Sequence, residues 1–185
     1  SDTNRPNSVR KVIEDTSVTP LIALPIIGND AGNNLGTSGD FTVNSGPYVG
    51  ARGGSEFWAR SAKFNGSTGY LSTSTALTGN SNSKKITIVF AVNPSSMTDG
   101  SIFGFDSYRQ YLYRSTSGTG LGWTVTDSSG SNLLATTSYS IADYSGVGIW
   151  DIYLMSCDIG SSIARVYKNG VATGTFTFNP SGTPD

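Results

Sequence analysis

Tyr108, Tyr111 and Tyr113 crowd into one short stretch together with Arg109 and Arg114. An aromatic ring packs on the apolar face of a pyranose while polar groups bind its hydroxyls, so this cluster could hold a carbohydrate. Tyr111 and Tyr113 share a face if their segment is a strand, and Tyr108 and Arg109 fall in the preceding turn. Trp123 and Tyr139 are further candidates for the same surface. The competing reading is that the rings fill a core, and it is the stronger one for Trp123, Trp150 and Phe90.

Catalysis has little to work with. The chain contains no histidine, which removes Ser-His-Asp and Cys-His nucleophile systems and histidine metal sites together. Neither a G-x-S-x-G elbow nor a phosphate loop is present, and Gly118-Thr119-Gly120-Leu121-Gly122 lacks the spacing of a dinucleotide fingerprint. Glycoside hydrolysis needs two flanking carboxyls. The only glutamates are Glu14 and Glu56, and no strand carries two acids at i and i+2. The expectation is a protein that is not an enzyme. Cys157 is the single cysteine, so no intrachain disulfide can form, and its place in a strand suits a buried, inert thiol.

Charged residues make up 14% of the chain and its net charge is −1, which gives nucleic acid no basic footprint beyond Arg5, Arg10 and Lys11. No apolar run is long enough to span a bilayer, and the first residues lack the order of a signal peptide. Export by another route, or removal of a leader, would account for a place outside the cell.

The elements that must position the tyrosines read as strands. Trp150, Ile152 and Leu154 alternate with Asp151, Tyr153, Met155 and Cys157; Ile163 to Lys168 follows, turns at Asn169-Gly170, and returns as one strand through Val171 to Phe178. Lys85 to Asn93 has the cleanest period of two and is expected at the centre of a sheet, half covered on both faces. Further short strands are expected at Leu21 to Ile27, Phe41 to Val43, Trp58 to Phe64, Ser101 to Phe105, Gln110 to Arg114, Leu121 to Thr126 and Asn132 to Thr136. Between Ala62 and Leu71 a tight turn is expected at Asn65-Gly66. Ile141 to Tyr144 is expected as a helical turn, and the loop Asn29 to Asp40 to offer the core only Leu35. About a dozen strands without a convincing helix select an all-β, two-layer antiparallel sandwich or jelly roll. Residues 1–19 read as an N-terminal arm or linker, and residues 20–185 as the sandwich domain.

The order of these signals resembles the laminin-G-like, or concanavalin-A-like, jelly-roll superfamily. The resemblance rests on Phe64-Asn65-Gly66-Ser67-Thr68-Gly69-Tyr70-Leu71, on Ile86-Thr87-Ile88-Val89-Phe90, and on Trp150, Asp158, Gly160, Tyr167, Asn169 and Gly170. Versions of this domain on bacteriophage particle proteins share the same glycine-, serine- and threonine-rich composition. Such domains usually continue past the last hairpin, so the likeness implies either a fragment or a neighbouring chain that completes the sheet.

The resemblance implies a non-catalytic structural and adhesion protein on the exterior of a virion. It would decorate capsid or tail, and the aromatic cluster read above, with Tyr108, Arg109, Tyr111, Tyr113 and Trp123, would be where it meets host glycans. Partners would be other virion proteins, or further copies through the N-terminal arm. The alternatives are a lectin or carbohydrate-binding module of a secreted, extracellular protein, and a glycosidase built from an Asp pair on separate loops. No cofactor is implied except calcium, which relatives bind through loop carboxylates. Asp106 and Asp127 are its candidates, with Asp99, Asp143 and Asp158 placed similarly. Against calcium stands the ordinary role of Asp in closing turns.

Overall fold

The computed structural model describes residues 20–24, 32–45, 48–51, 60–74, 84–105, 110–115 and 120–181. The N-terminal arm, Pro25 to Ile27, Trp58, and Asp106 to Arg109 lie outside them. The chain forms two compact units, Ser1–Gly79 and Asn80–Asp185.

In the first unit, β1 (Thr42–Asn44) pairs with β4 (Tyr70–Ser72), and β2 (Tyr48–Ala51) pairs with β3 (Arg60–Lys63), both antiparallel. β2 lies in a glycine-rich stretch that was not expected to form a strand. Leu21 to Leu24 forms no strand either. Its backbone is held by side chains of the following loop: Asn34 Oδ1 accepts from the Ala23 N–H at 2.7 Å, and Ser38 Oγ donates to the Leu21 carbonyl at 2.7 Å. The buried polar side chains of that loop, among the described residues, are therefore Asn34 and Ser38; Asn34 Nδ2 donates to the Leu21 and Gly39 carbonyls and to Ser38 Oγ, and Leu35 is only half-buried. The expected tight turn at Asn65-Gly66 is present between β3 and β4, which pair in different ladders. Asn65 Oδ1 accepts from the N–H groups of Ser67, Thr68 and Gly69 at 2.8–3.0 Å, while Gly66 takes a φ of 73°.

The second unit is a two-layer antiparallel β sandwich. One sheet runs β13 (Val171–Thr173), β12 (Ile163–Lys168), β11 (Asp151–Asp158), β5 (Lys85–Val92). The facing sheet runs β14 (Phe176–Phe178), β9 (Asn132–Thr136), β8 (Gly120–Thr126), β7 (Gln110–Ser115), β6 (Gly100–Phe105), and β10 (Ile141–Ala142) also pairs with β8. Ile141-Ala142 is thus a strand where a helical turn was expected. Asn169 and Gly170, with φ of 50° and 82°, join β12 to β13 as the sequence predicts. The return strand breaks at Gly174, where φ is 99°, and its end crosses to the other sheet to pair with β9. Two facing layers need such a crossing, and alternation of Thr and Phe does not reveal it.

Alternation sets the core. Tyr153, Met155, Cys157 and Val166 meet Leu112, Leu121, Trp123, Val125, Leu134 and Ile141 of the facing sheet. Burying each such apolar side chain contributes about 1.5–3 kcal/mol. Phe90 stacks on Tyr153 with centroids 5.2 Å apart and takes the edge of Phe103 from the other sheet at 6.5 Å. β5 departs from expectation: among the described residues it ends its sheet, and its outer face is open, with Val89 61% exposed.

At one end the interior turns ionic. Asp151 is fully buried, and its carboxylate accepts from Ser145 N–H, Ser145 Oγ and Asn169 Nδ2, each at 2.7 Å, with Lys168 Nζ at 3.5 Å. Arg114, from the facing sheet, grips Asp143 through two parallel bonds of 2.8 and 2.7 Å and also donates to the Met97 carbonyl. Lys168 donates to the Asp143 carbonyl, and the Tyr153 hydroxyl to that of Ala142 at 2.9 Å. Burial pushes the pKa values of both Asp151 and Asp143 up, but hydrogen bonds and the neighbouring cations outweigh it and hold them below the usual carboxylate range.

A group whose folded pKa is depressed stabilises the fold above its unfolded value, and that contribution is lost as pH falls through the folded value. Acid unfolding should therefore set in below about pH 4. Asp151→Asn, which turns an amide N–H₂ towards existing donors and leaves Lys168 uncompensated, should cost about 3–5 kcal/mol. Urea denaturation at several pH values measures both effects: the acid limb should flatten in D151N, and an unchanged midpoint would contradict the role given to Asp151.

Candidate functional site

β7 carries two of the tyrosines because its inward positions are taken by Leu112 and Arg114, which leaves Tyr111 and Tyr113 on the outer face. In register, Tyr111 lies between Gly104 of β6 and Thr124 of β8, and Tyr113 lies between Ser101 and Gly122. Their ring centroids are 5.1 Å apart, and Tyr139 meets Tyr113 edge-on at 5.3 Å. All three rings are half-buried.

Glycines on β8 make this arrangement fit. A Cβ at Gly122 would lie 2.9 Å from the rings of both Tyr113 and Tyr139, and one at Gly120 would lie 2.1 Å from the Ile141 carbonyl oxygen. Ser138 and Tyr139 adopt positive φ, 47° and 53°, which turns the chain after β9 back over these glycines. Gly120-Leu121-Gly122 is thus no phosphate loop; it is a strand whose outer side is bare so that aromatic rings and β10 can lie against it. The alternation of glycine with core residues was the signal available in the sequence.

Beside the tyrosines opens a shallow cleft of about 370 Å³, lined by Asp99, Gly100, Ser101, Tyr111, Tyr113, Arg114 and Ser115. It joins aromatic faces to hydroxyls, a carboxylate and the flank of a guanidinium that is already committed to Asp143. Burial, and next the adjacent Tyr139, raise the Tyr113 pKa above the ordinary phenol value, so its hydroxyl stays protonated at neutral pH. Asp99 lines the cleft and Tyr139 packs on Tyr113, although the sequence pointed less firmly to both.

Trp123 does not belong to it. Its side chain is fully buried in the core, edge-on to Phe176 at 6.3 Å, because position 123 faces inward with Leu121 and Val125. It offers no face to a ligand, which corrects its assignment to a sugar site. Tyr108, Arg109 and Asp106 lie outside the described residues.

Asp127 closes a turn: its Oδ1 accepts from the Ser129 and Ser131 N–H groups at 2.9 Å and from Ser129 Oγ at 2.6 Å. Asp158 does the same for Ser161, and Lys85 approaches it at 3.5 Å. Among the described residues no three acidic or cysteine side chains gather where they could hold a metal ion. Cys157 is buried, and burial first of all pushes its thiol up to about 11.

The fold is an all-β sandwich, and the cleft beside Tyr111 and Tyr113 is its candidate site. The chain matches no protein family, no curated protein and no solved structure among those to which it was compared.

Gly122→Ala should displace the Tyr113 and Tyr139 rings and cost about 1–3 kcal/mol. Gly104→Ala, whose new Cβ would find its nearest neighbours at 3.8 and 3.9 Å, should be nearly silent. Near-ultraviolet circular dichroism and thermal melts compare them directly; equal behaviour would mean that the rings do not depend on the bare strand.

Proposed function

We propose that this chain is a non-catalytic structural and adhesion protein of a virus particle's exterior, and that it engages surface glycans through the cleft beside Tyr111 and Tyr113. The observation that carries the reading is the pair of half-exposed rings 5.1 Å apart at the rim of a cleft that also offers Asp99, Ser101 and Ser115. Such a cleft can stack a pyranose and bind its hydroxyls, while its shallowness leaves no water-excluded pocket for bond cleavage. Among the described acids of the second unit, Asp127, Asp143, Asp151 and Asp158 are committed to turns or ion pairs and Asp99 alone lines the cleft, which supports a role without catalysis. The virion assignment draws on the glycine-, serine- and threonine-rich composition and on the order of strand and turn motifs.

A glycan array followed by titration calorimetry tests the site. Tyr111→Ala and Tyr113→Ala should each weaken binding about tenfold or more, as loss of a stacking ring does. Binding that survives both changes would remove this cleft from consideration. Electron microscopy of particles assembled with the labelled chain tests the location separately. Glycan binding without particle association would favour a secreted lectin.

A further inference from the structure

β5 reads as an interior strand yet sits at the edge of its sheet among the described residues. The phase of its pairing tells which backbone groups it leaves over. The Ile159 N–H donates to the Lys84 carbonyl at 2.8 Å, and these residues continue the β5/β11 register of Lys85 with Asp158. Hydrogen-bonded pairs alternate along an antiparallel ladder, so Ile86, Ile88, Phe90 and Val92 bond to β11. Thr87, Val89 and Ala91 then direct their N–H and C=O groups away from the sheet.

Natural sheets blunt such edges with short strands, bulges, proline or charge. The other edges of this sandwich do so: β13 and β14 have three residues each, and β6 is interrupted between Ser101 and Phe103. β5 has eight residues with no proline, glycine or bulge, and its one charge, Lys85, lies at the end and approaches Asp158 at 3.5 Å.

The adjoining face points to what completes it. Val89, Leu154, Tyr167 and Ala172 stand opposite one another across the four strands, and Ala91 stands opposite Ile152 in the neighbouring row. Val89 and Ile152 are 61% and 57% exposed. This apolar row stops at Val89, on the open edge.

We propose that two copies of this chain pair through β5, antiparallel about a two-fold axis at Val89, so that each four-stranded sheet continues into the other. The strand is self-complementary in that register. Val89 faces its own copy, Thr87 faces Ala91, and Lys85 faces Asn93, so the two ammonium groups lie about 26 Å apart. The new ladder gains about six backbone hydrogen bonds, and the apolar row runs unbroken across both subunits.

Sedimentation equilibrium of the full chain from about 1 µM to 1 mM should show the mass rising from one chain towards two. Val89→Pro removes an N–H that points away from β11, so the subunit keeps its own ladder while the two-fold pairing is blocked; dimerisation should weaken at least about 100-fold. Ile163→Lys, on the same sheet but away from the edge, should leave the mass unchanged. Should circular dichroism show V89P unfolded, Val89→Lys sets two ammonium groups face to face on the axis and should give the same loss. A wild-type chain that stays monomeric to about 1 mM overturns the proposal, and so does a dimer that both Val89 variants leave intact.

Discussion

The second unit depends on one costly burial, the carboxylate of Asp151 at the end of the sandwich interior. Taken out of water alone, an ionised carboxyl would shed its charge or unfold its surroundings. Here it orders them. Satisfying its oxygens recruits Ser145 from the loop after β10, Asn169 from the turn after β12, and Lys168 from β12 itself. Lys168 reaches the Asp143 carbonyl, and Asp143 binds Arg114 from the facing sheet. Two sheets that apolar packing would hold face to face, but free to slide, are thereby fixed in one registry.

This constraint also explains which parts of the fold were legible. Period-two alternation from Lys85 to Val92 and from Asp151 to Asp158 was visible, because strand geometry forces neighbouring side chains to opposite faces whatever the topology. Asn169-Gly170 was visible as a turn for an equally local reason. That the Asn169 side chain also caps Asp151 was not, since the two are brought together only by the pairing of β11 with β12. The same limit hid the crossing at Gly174 and the burial of Asn34. An amide inside a glycine-rich loop looks solvated until the chain segment that it staples is folded against it.

The tyrosine surface depends on a similar interplay. Leu112, Leu121, Trp123 and Val125 face inward, and that fixes the outward direction of Tyr111 and Tyr113 and of the glycines opposite them. Trp123 was a plausible sugar ligand by residue type, but a shift of one position along a strand exchanges surface for core. Residue type alone could therefore nominate rings, while the parity of β8 decided between them. Glycine at 122 matters to the site as the tyrosines do, because a side chain there would occupy the space in which the rings lie, while one at 120 would strike the backbone of Tyr139 and Ile141.

β5 shows where alternation stops being informative. Both its faces are apolar enough for a strand covered on either side, yet one face meets the core and the other meets solvent. An interior composition at an open edge is a conflict between levels that usually agree in a folded chain. A sheet without further strands would resolve it by substituting charge at Thr87 or Val89, as edges commonly do. β-Branched residues at both positions suit a strand whose outer hydrogen bonds are made by another strand rather than by water. An edge of this composition is what the pairing of two copies through β5 would complete.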